Sequence, residues 1–344
     1  MRKNPMLAIF TTVFIDLLGF GILIPVFPLL ITEGPFRVTP DGWSFTQGMI
    51  MLGWLQAIYP FCMFIAAPIL GQLSDRHGRR PVLALSIFGT AIGYVLFAIG
   101  ISTGNLPLLF AARGLDGLTG GNLAVAQAAI GDISTHENRA KNFGYMGAAF
   151  GMGFIVGPYL GGKLSSPSVS FYGLFDTPHW FGATTPFWFA AVLALLNCTA
   201  VLTTFPETIK EKFHGGKIRV GQSLNNVVNG FKSDRLRVIL LSSFLFSAGF
   251  TFFTTFFGVY LRNKFSFSSS KIGDYFAIVG LCIALSQGLV VGRVAKKLVD
   301  YKVLKFSMFG TGAMMLVYFL TPTSSSMYLY MVIPFFAIFN GLCM

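Results

Sequence analysis

Charge is what this sequence has least of. Asp, Glu, Lys and Arg make up 11% of its 344 residues, against about 25% in an average soluble protein. Hydrophobic residues make up 54%. A soluble core of this length cannot hide that much apolar surface, whereas a bilayer can. Cysteine is also sparse: Cys62, Cys198, Cys282 and Cys343 are scattered through apolar stretches without metal-like spacing and read as core fillers. His77, His136, His179 and His214 all fall in polar connections, and no nucleophile–base arrangement or metal cluster shows at depth, so no enzyme is expected. No G-x4-G-K-[ST] loop is present, so ATP drive from within this chain is not expected either.

What is there is a series of long apolar runs, near residues 6–31, 48–70, 82–102, 106–130, 143–164, 185–205, 238–261, 273–295, 304–322 and 328–344. Nearly all reach the ~20 residues an α-helix needs to cross a bilayer. The pattern predicts an all-α polytopic membrane protein of about ten transmembrane helices, the tenth reaching the chain end. The strict alternation of a barrel strand is missing.

The net charge of +12 is distributed by side. With a cytoplasmic N-terminus, nineteen of the 25 Lys and Arg residues fall inside: Arg2 and Lys3, Arg76, Arg79 and Arg80, Arg139 and Lys141, seven in 210–237 and five in 293–305. Arg37, Lys163, Arg262, Lys264 and Lys271 fall outside, and Arg113 lies within a span. The positive-inside rule then predicts an N-in, multi-pass protein of the cell membrane. The basic balance reflects topology and contact with the lipid bilayer; no nucleic acid is expected. MRKNPMLAIF starts like a signal peptide, but its apolar run is too long for a cleaved one and reads as a retained first helix.

Two connections are long. Residues 165–184 read as an outer loop, and 206–237 as an inner polar segment that divides the chain. Within the latter, Leu224, Val227, Val228 and Phe231 recur at helical spacing and predict an amphipathic helix on the membrane surface. The division predicts an N-terminal six-helix half (1–205), an inter-half loop (206–237) and an incomplete C-terminal half of four helices (238–344). GQLSDRHGRRPVL (71–83) and GRVAKKLVDYKVL (292–304) follow the second and eighth runs and echo one another, as a parallel repeat would.

The first of these segments resembles the signature loop of the major facilitator superfamily, G-x-L-x-D-R-x-G-R-[RK]-x-x-L, through Gly71, Leu73, Asp75, Arg76, Gly78, Arg79, Arg80 and Leu83. Gly71 is expected to permit close helix approach and Gly78 a tight turn, with the charges forming a cytoplasmic latch. GYMGAAFGMGFIVGPYLGG (144–162) is similar to that family's fifth-helix antiporter pattern, through Gly144, Gly153, Gly157, Pro158, Gly161 and Gly162. Residues 16–28 and 112–134 resemble the first and fourth helices of bacterial tetracycline–proton antiporters and their multidrug relatives, including R-x3-G at Arg113 and Gly117.

The resemblance implies the major facilitator fold of two pseudo-repeated six-helix halves, the second truncated here. It also implies that Asp132 joins the loop arginines in a charge relay. Two departures stand out. The tetracycline exporters carry an acid in the third helix where Gly93 stands here, and the family has twelve helices, so the chain is expected to be a fragment.

Asp16 is the lone charge between Met6 and Ile31. Such a carboxylate costs at least ~2.5 kcal/mol near the bilayer centre unless it is protonated, wetted or paired. Arg113 is the one cation within a span of the first half, with Asp116 one turn along. The expectation is a cluster in which Asp16 and Asp116 share Arg113 and one acid trades protons. A static helix–helix bridge is the alternative.

On 242–261, Ser247, Thr251, Thr254, Thr255 and Gly258 form a weakly polar stripe among Phe residues. With Gln56, Tyr59, Asn122, Gln127 and Gln287 they are candidate lining groups for a substrate cavity. The function expected is proton-coupled export of amphipathic, drug-like small molecules by alternating access, by a monomer that needs no cofactor beyond the proton gradient. A proton-coupled importer of a small metabolite, or a transport-inactive truncated membrane protein or scaffold, are the alternatives.

Overall fold

The structure, a computed structural model, describes residues 5–32, 34–171, 175–209, 221–287, 289, 300–322 and 326–343. Arg2 and Lys3, the loop cations from Lys210 to Arg219, and residues 292–299 of the echoed segment lie outside the described residues.

Among the described residues the chain is built from twelve helices. The first six are α1 (Pro5–Ile31), α2 (Phe45–His77), α3 (Arg79–Ser102), α4 (Leu106–Thr119), α5 (Asn122–Ile133) and α6 (Arg139–Leu164). They are followed by α7 (Thr185–Thr204), α8 (Gln222–Lys232), α9 (Asp234–Phe265) and α10 (Ser269–Ser286). The last two are α11 (Asp300–Leu320) and α12 (Met327–Cys343). Eight are long and apolar enough to cross a membrane. The shorter α12 and the pair α4–α5 account for the remaining two predicted runs.

Helix ends follow local chemistry. Ser44 and Gln47 form a reciprocal capping box at the start of α2, and Asn105 accepts from the Leu108 amide at the start of α4. The run at 165–184 holds more than a loop, since β1 (Ser170–Phe171) and β2 (Phe175–Asp176) pair as a short antiparallel hairpin. The amphipathic helix forms as α8, with Leu224 and Phe231 exposed.

The fourth run is not continuous. It breaks at Gly120–Gly121, where both residues adopt a turn, and α5 starts again at Asn122. Each glycine is also a contact point: a Cβ on Gly121 would sit 2.9 Å from Ala67 Cα, and one on Gly120 would sit 2.9 Å from Tyr59 Oη. α2 therefore packs directly onto the break. Broken helices are tolerated in membranes where the freed backbone is enclosed by protein.

Buried apolar residues form two clusters. One joins α1 to α7 and takes Val259 from α9; the other joins α9, α10, α11 and α12, and takes Ile24 from α1. Phe253, Phe257, Tyr275, Tyr318 and Phe336 give the second an aromatic centre, with neighbouring rings 4.4–5.7 Å apart.

The seam between the clusters is closed at one end. We name the ends of the bundle from α1: proximal at Pro5, distal at Ile31. On the face of α6 toward α10, Ile155, Pro158 and Gly162 meet Gly280 and Gly273, and a Cβ on Gly162 would sit 2.9 Å from Gly273 Cα. The same face continues proximally through Gly151 and Gly144, where an added Cβ would meet nothing within 4 Å. α1 and α9 behave likewise: a Cβ on Gly258, toward the distal end of α9, would lie 2.9 Å from the Ile24 carbonyl oxygen, while Val238, Leu241 and Phe244 near its proximal end are exposed. The two clusters meet distally and part proximally.

Candidate functional site

At mid-depth, the α4–α5 break sets Asn122 beside Asp16 of α1. Asp16 is half-buried and makes no salt bridge among the described residues. Asn122 is buried, and its Nδ2 makes no well-formed hydrogen bond. Asp116 lies within electrostatic reach of Asp16.

The expected sharing of Arg113 between two acids is not what forms. Arg113 Nη1 donates to Asp116 Oδ2 over 3.0 Å, one turn along the same helix. Its guanidinium carbon lies 4.5 Å from the centroid of the Tyr59 ring, a cation–π stack. The physical reason is proximity: an i,i+3 acid and a ring on the adjoining α2 meet the guanidinium first. Gly117, the small residue of R-x3-G, permits this, because a Cβ there would lie 2.8 Å from Cys62 Cβ and would push α2 and Tyr59 away. Arg113 is 3% exposed, and its Nε and Nη2 have no acceptor. Buried guanidinium N–H groups left unpaired are costly, so this edge of the arginine favours an incoming acceptor.

An aromatic wall adjoins the cluster, with Phe20 6.5 Å from Tyr59 and 5.9 Å from Phe154 of α6. Gln56 is buried one turn before Tyr59, with its Oε1 unpartnered. The other proposed lining residues are not gathered here. Gln127, Ser247, Thr251 and Gln287 are exposed. Thr254 donates to the Thr251 carbonyl, and Thr255 is buried near Gly258 on the stretch of α9 that meets α1.

A second charged cluster sits at the proximal end. Arg79, 6% exposed, reaches Asp75 at 2.5 Å, Asp132 at 2.9 Å and Ser74 Oγ at 2.6 Å. Arg80 donates to the Leu202 carbonyl, and Arg76 is half-buried. Gly78 joins α2 to α3 at φ +108°, a conformation that favours glycine. Gly71 does not serve close helix approach, because a Cβ there would meet open space.

Sequence reasoning missed Glu207. Its carboxylate accepts from the backbone N–H groups of Arg79 (2.8 Å) and Arg80 (3.2 Å), capping α3, and from those of Thr208 (3.1 Å) and Ile209 (3.2 Å). Thr208 Oγ1 donates to Asp132 over 3.1 Å. The available signal was the acid in Pro206-Glu207-Thr208, the first charge after the sixth run.

The glycine pattern of 144–162 splits by face. Gly153, Gly157 and Gly161 pack on α1, with a Cβ on Gly157 falling 2.7 Å from the Leu18 carbonyl oxygen and one on Gly161 2.6 Å from that of Ile22. Gly162 packs on α10, Pro158 turns its ring to Gly21 of α1 and its carbonyl to Gly273 of α10, and a Cβ on Gly144 would meet nothing within 4 Å. The pattern thus describes a helix wedged between the two clusters.

Many apolar helices, two clusters meeting at one end, and buried charge beside a broken helix define a multi-pass membrane transporter. The chain belongs to the Major Facilitator Superfamily, whose sequence model matches residues 9–344. It is 33% identical over 300 residues to the class B tetracycline resistance protein of Escherichia coli, covering 86% of this chain and 68% of that protein. It is 28% identical over 304 residues to multidrug resistance protein 1 of Bacillus subtilis, covering 86% of this chain and 66% of that one. The fold matches the crystal structure of the human organic anion transporter MFSD10 with a TM-score of 0.65 at 21% identity, over 98% of this chain and 83% of that one. The chain is a transporter and not an enzyme.

Proposed function

We propose that this chain is a proton-driven exporter of amphipathic, drug-like molecules that alternates access between two helical halves. The halves are 1–205 and 238–344, joined by 206–237. The excess of Lys and Arg supports a cytoplasmic proximal end and N-terminus in the cell membrane. In that orientation the state described is open to the cytoplasm and shut outside. The protein works as a monomer, with protons and substrate as its ligands.

One observation carries the coupling step: Arg113 is bound to Asp116 yet its Nε and Nη2 have no acceptor, while half-buried Asp16 lies beside the Asn122 amide, within reach of Asp116, and makes no ion pair among the described residues. Asp16 carries the proton. On losing it to the cytoplasm, the carboxylate turns to the free edge of Arg113, and that new pair favours one opening of the halves. Substrate favours the other, and coupling needs no more than that difference. The Asp75–Arg79–Asp132 cluster, with Gly78, Arg76, Arg80 and Glu207, latches the proximal end of the first half. Gln56, Tyr59 and Asn122 line the substrate path.

The test is transport by everted vesicles under an imposed proton gradient. Accumulation of a lipophilic dye that an uncoupler abolishes is the expected result. Uptake by right-side-out vesicles instead would make the protein an importer, and movement in neither would make it transport-inactive.

A further inference from the structure

We propose that Lys163 and Asp274 form the clasp that holds the distal end of the two halves shut and must part each time that end opens. This rests on the alternating-access reading and adds a device to it.

Lys163 lies in the last turn of α6 and Asp274 in the second turn of α10, so their contact crosses the seam. Lys163 Nζ reaches Asp274 Oδ2 and Ser270 Oγ, each at 2.9 Å, and lies 5.6 Å from the centroid of the Tyr159 ring. Both hydrogen-bond acceptors belong to α10, while the lysine itself belongs to α6. Of the other ion pairs described, Arg79 with Asp75 and Asp132 and Arg113–Asp116 lie within the first half, and Arg237–Asp234 lies within the joining segment at the start of α9.

The clasp sits where the helices already touch backbone to backbone, at Gly162 and Gly273. Lys163 is 9% exposed, so parting the pair strands a cation with little solvent around it, which makes the closed seam strongly favoured over a half-open one. A cleft of about 650 Å³ flanks the pair, walled by Ile155, Val156, Ala277, Ile278 and Leu281, and gives the two side chains room to separate.

The test measures opening without requiring transport. In a background with the four native cysteines changed to serine, Ile24→Cys places a thiol on α1 where it is buried against the second cluster at the distal end. A membrane-impermeant maleimide is applied from the distal side to de-energised membranes. Lys163→Met and Asp274→Asn are each expected to raise the labelling rate about tenfold, as loss of one partly buried ion pair allows. The charge swap Lys163→Asp with Asp274→Lys is expected to return it to within about twofold of the parent. Parental rates in the single variants would overturn the clasp, as would a swap that labels as fast as they do. Because no substrate or proton gradient enters the measurement, its outcome is independent of the role given to Asp16.

Discussion

Gly93 on α3 and Asp116 on α4 occupy one space. A Cβ on Gly93 would sit 3.1 Å from the Cβ of Asp116 and 3.4 Å from the Ala112 carbonyl oxygen. The resemblance to the tetracycline exporters sets Gly93 where those proteins carry an acid on the third helix. In this chain the acid stands across the interface on α4, and a glycine makes room for it.

Gly93→Asp alone is therefore expected to inactivate transport, through overpacking of roughly 1–3 kcal/mol and a second carboxylate against Asp116. Combining it with Asp116→Ala removes both the crowding and the like charge. Folded yield in detergent should recover in the double variant; equal yields in the two would deny the shared space.

The α1–α6 contact makes a second prediction. Gly157→Ala places a methyl 2.7 Å from the Leu18 carbonyl oxygen, whereas Gly144→Ala points into open space. The first should cost about 1–3 kcal/mol and lower the midpoint of thermal unfolding. The second should leave it unchanged or slightly raised, since alanine favours the helix. Similar midpoints for the two variants would contradict the packing described.

Much of this was legible beforehand, for a simple reason. Apolar runs long enough to span a bilayer identify themselves, and the boundaries of α1, α6 and α7 fall within a few residues of the expected ones. The break at Gly120–Gly121 was not legible, because glycine is ordinary in membrane helices and only the approach of α2 turns it into a break. The Arg113–Asp116 contact was legible from its spacing, but whether Asp16 also reaches Arg113 was not, because sequence carries no distances between helices. Lys163 read as an outer-loop cation because nothing in the sequence aligns it with Asp274. Gly71 fits its motif but has no packing partner.

Glu207 supplies a third prediction. Glu207→Ala strips the acceptor from four backbone N–H groups and frees the inter-half segment from the start of α3. A loss of about 1–3 kcal/mol in stability is expected, with protease cutting between 206 and 237 accelerated. Glu207→Gln keeps one acceptor and should lie between the parent and Glu207→Ala. An unchanged cutting rate in Glu207→Ala would remove this residue from the latch.

The central claim, that Asp16 carries the proton, is tested most directly by separating proton-driven transport from substrate exchange in Asp16→Asn. Everted vesicles holding that variant should still insert it at parental levels and still exchange internal for external substrate. They should accumulate none when a pH gradient is imposed. Normal accumulation driven by the pH gradient in Asp16→Asn would contradict the account.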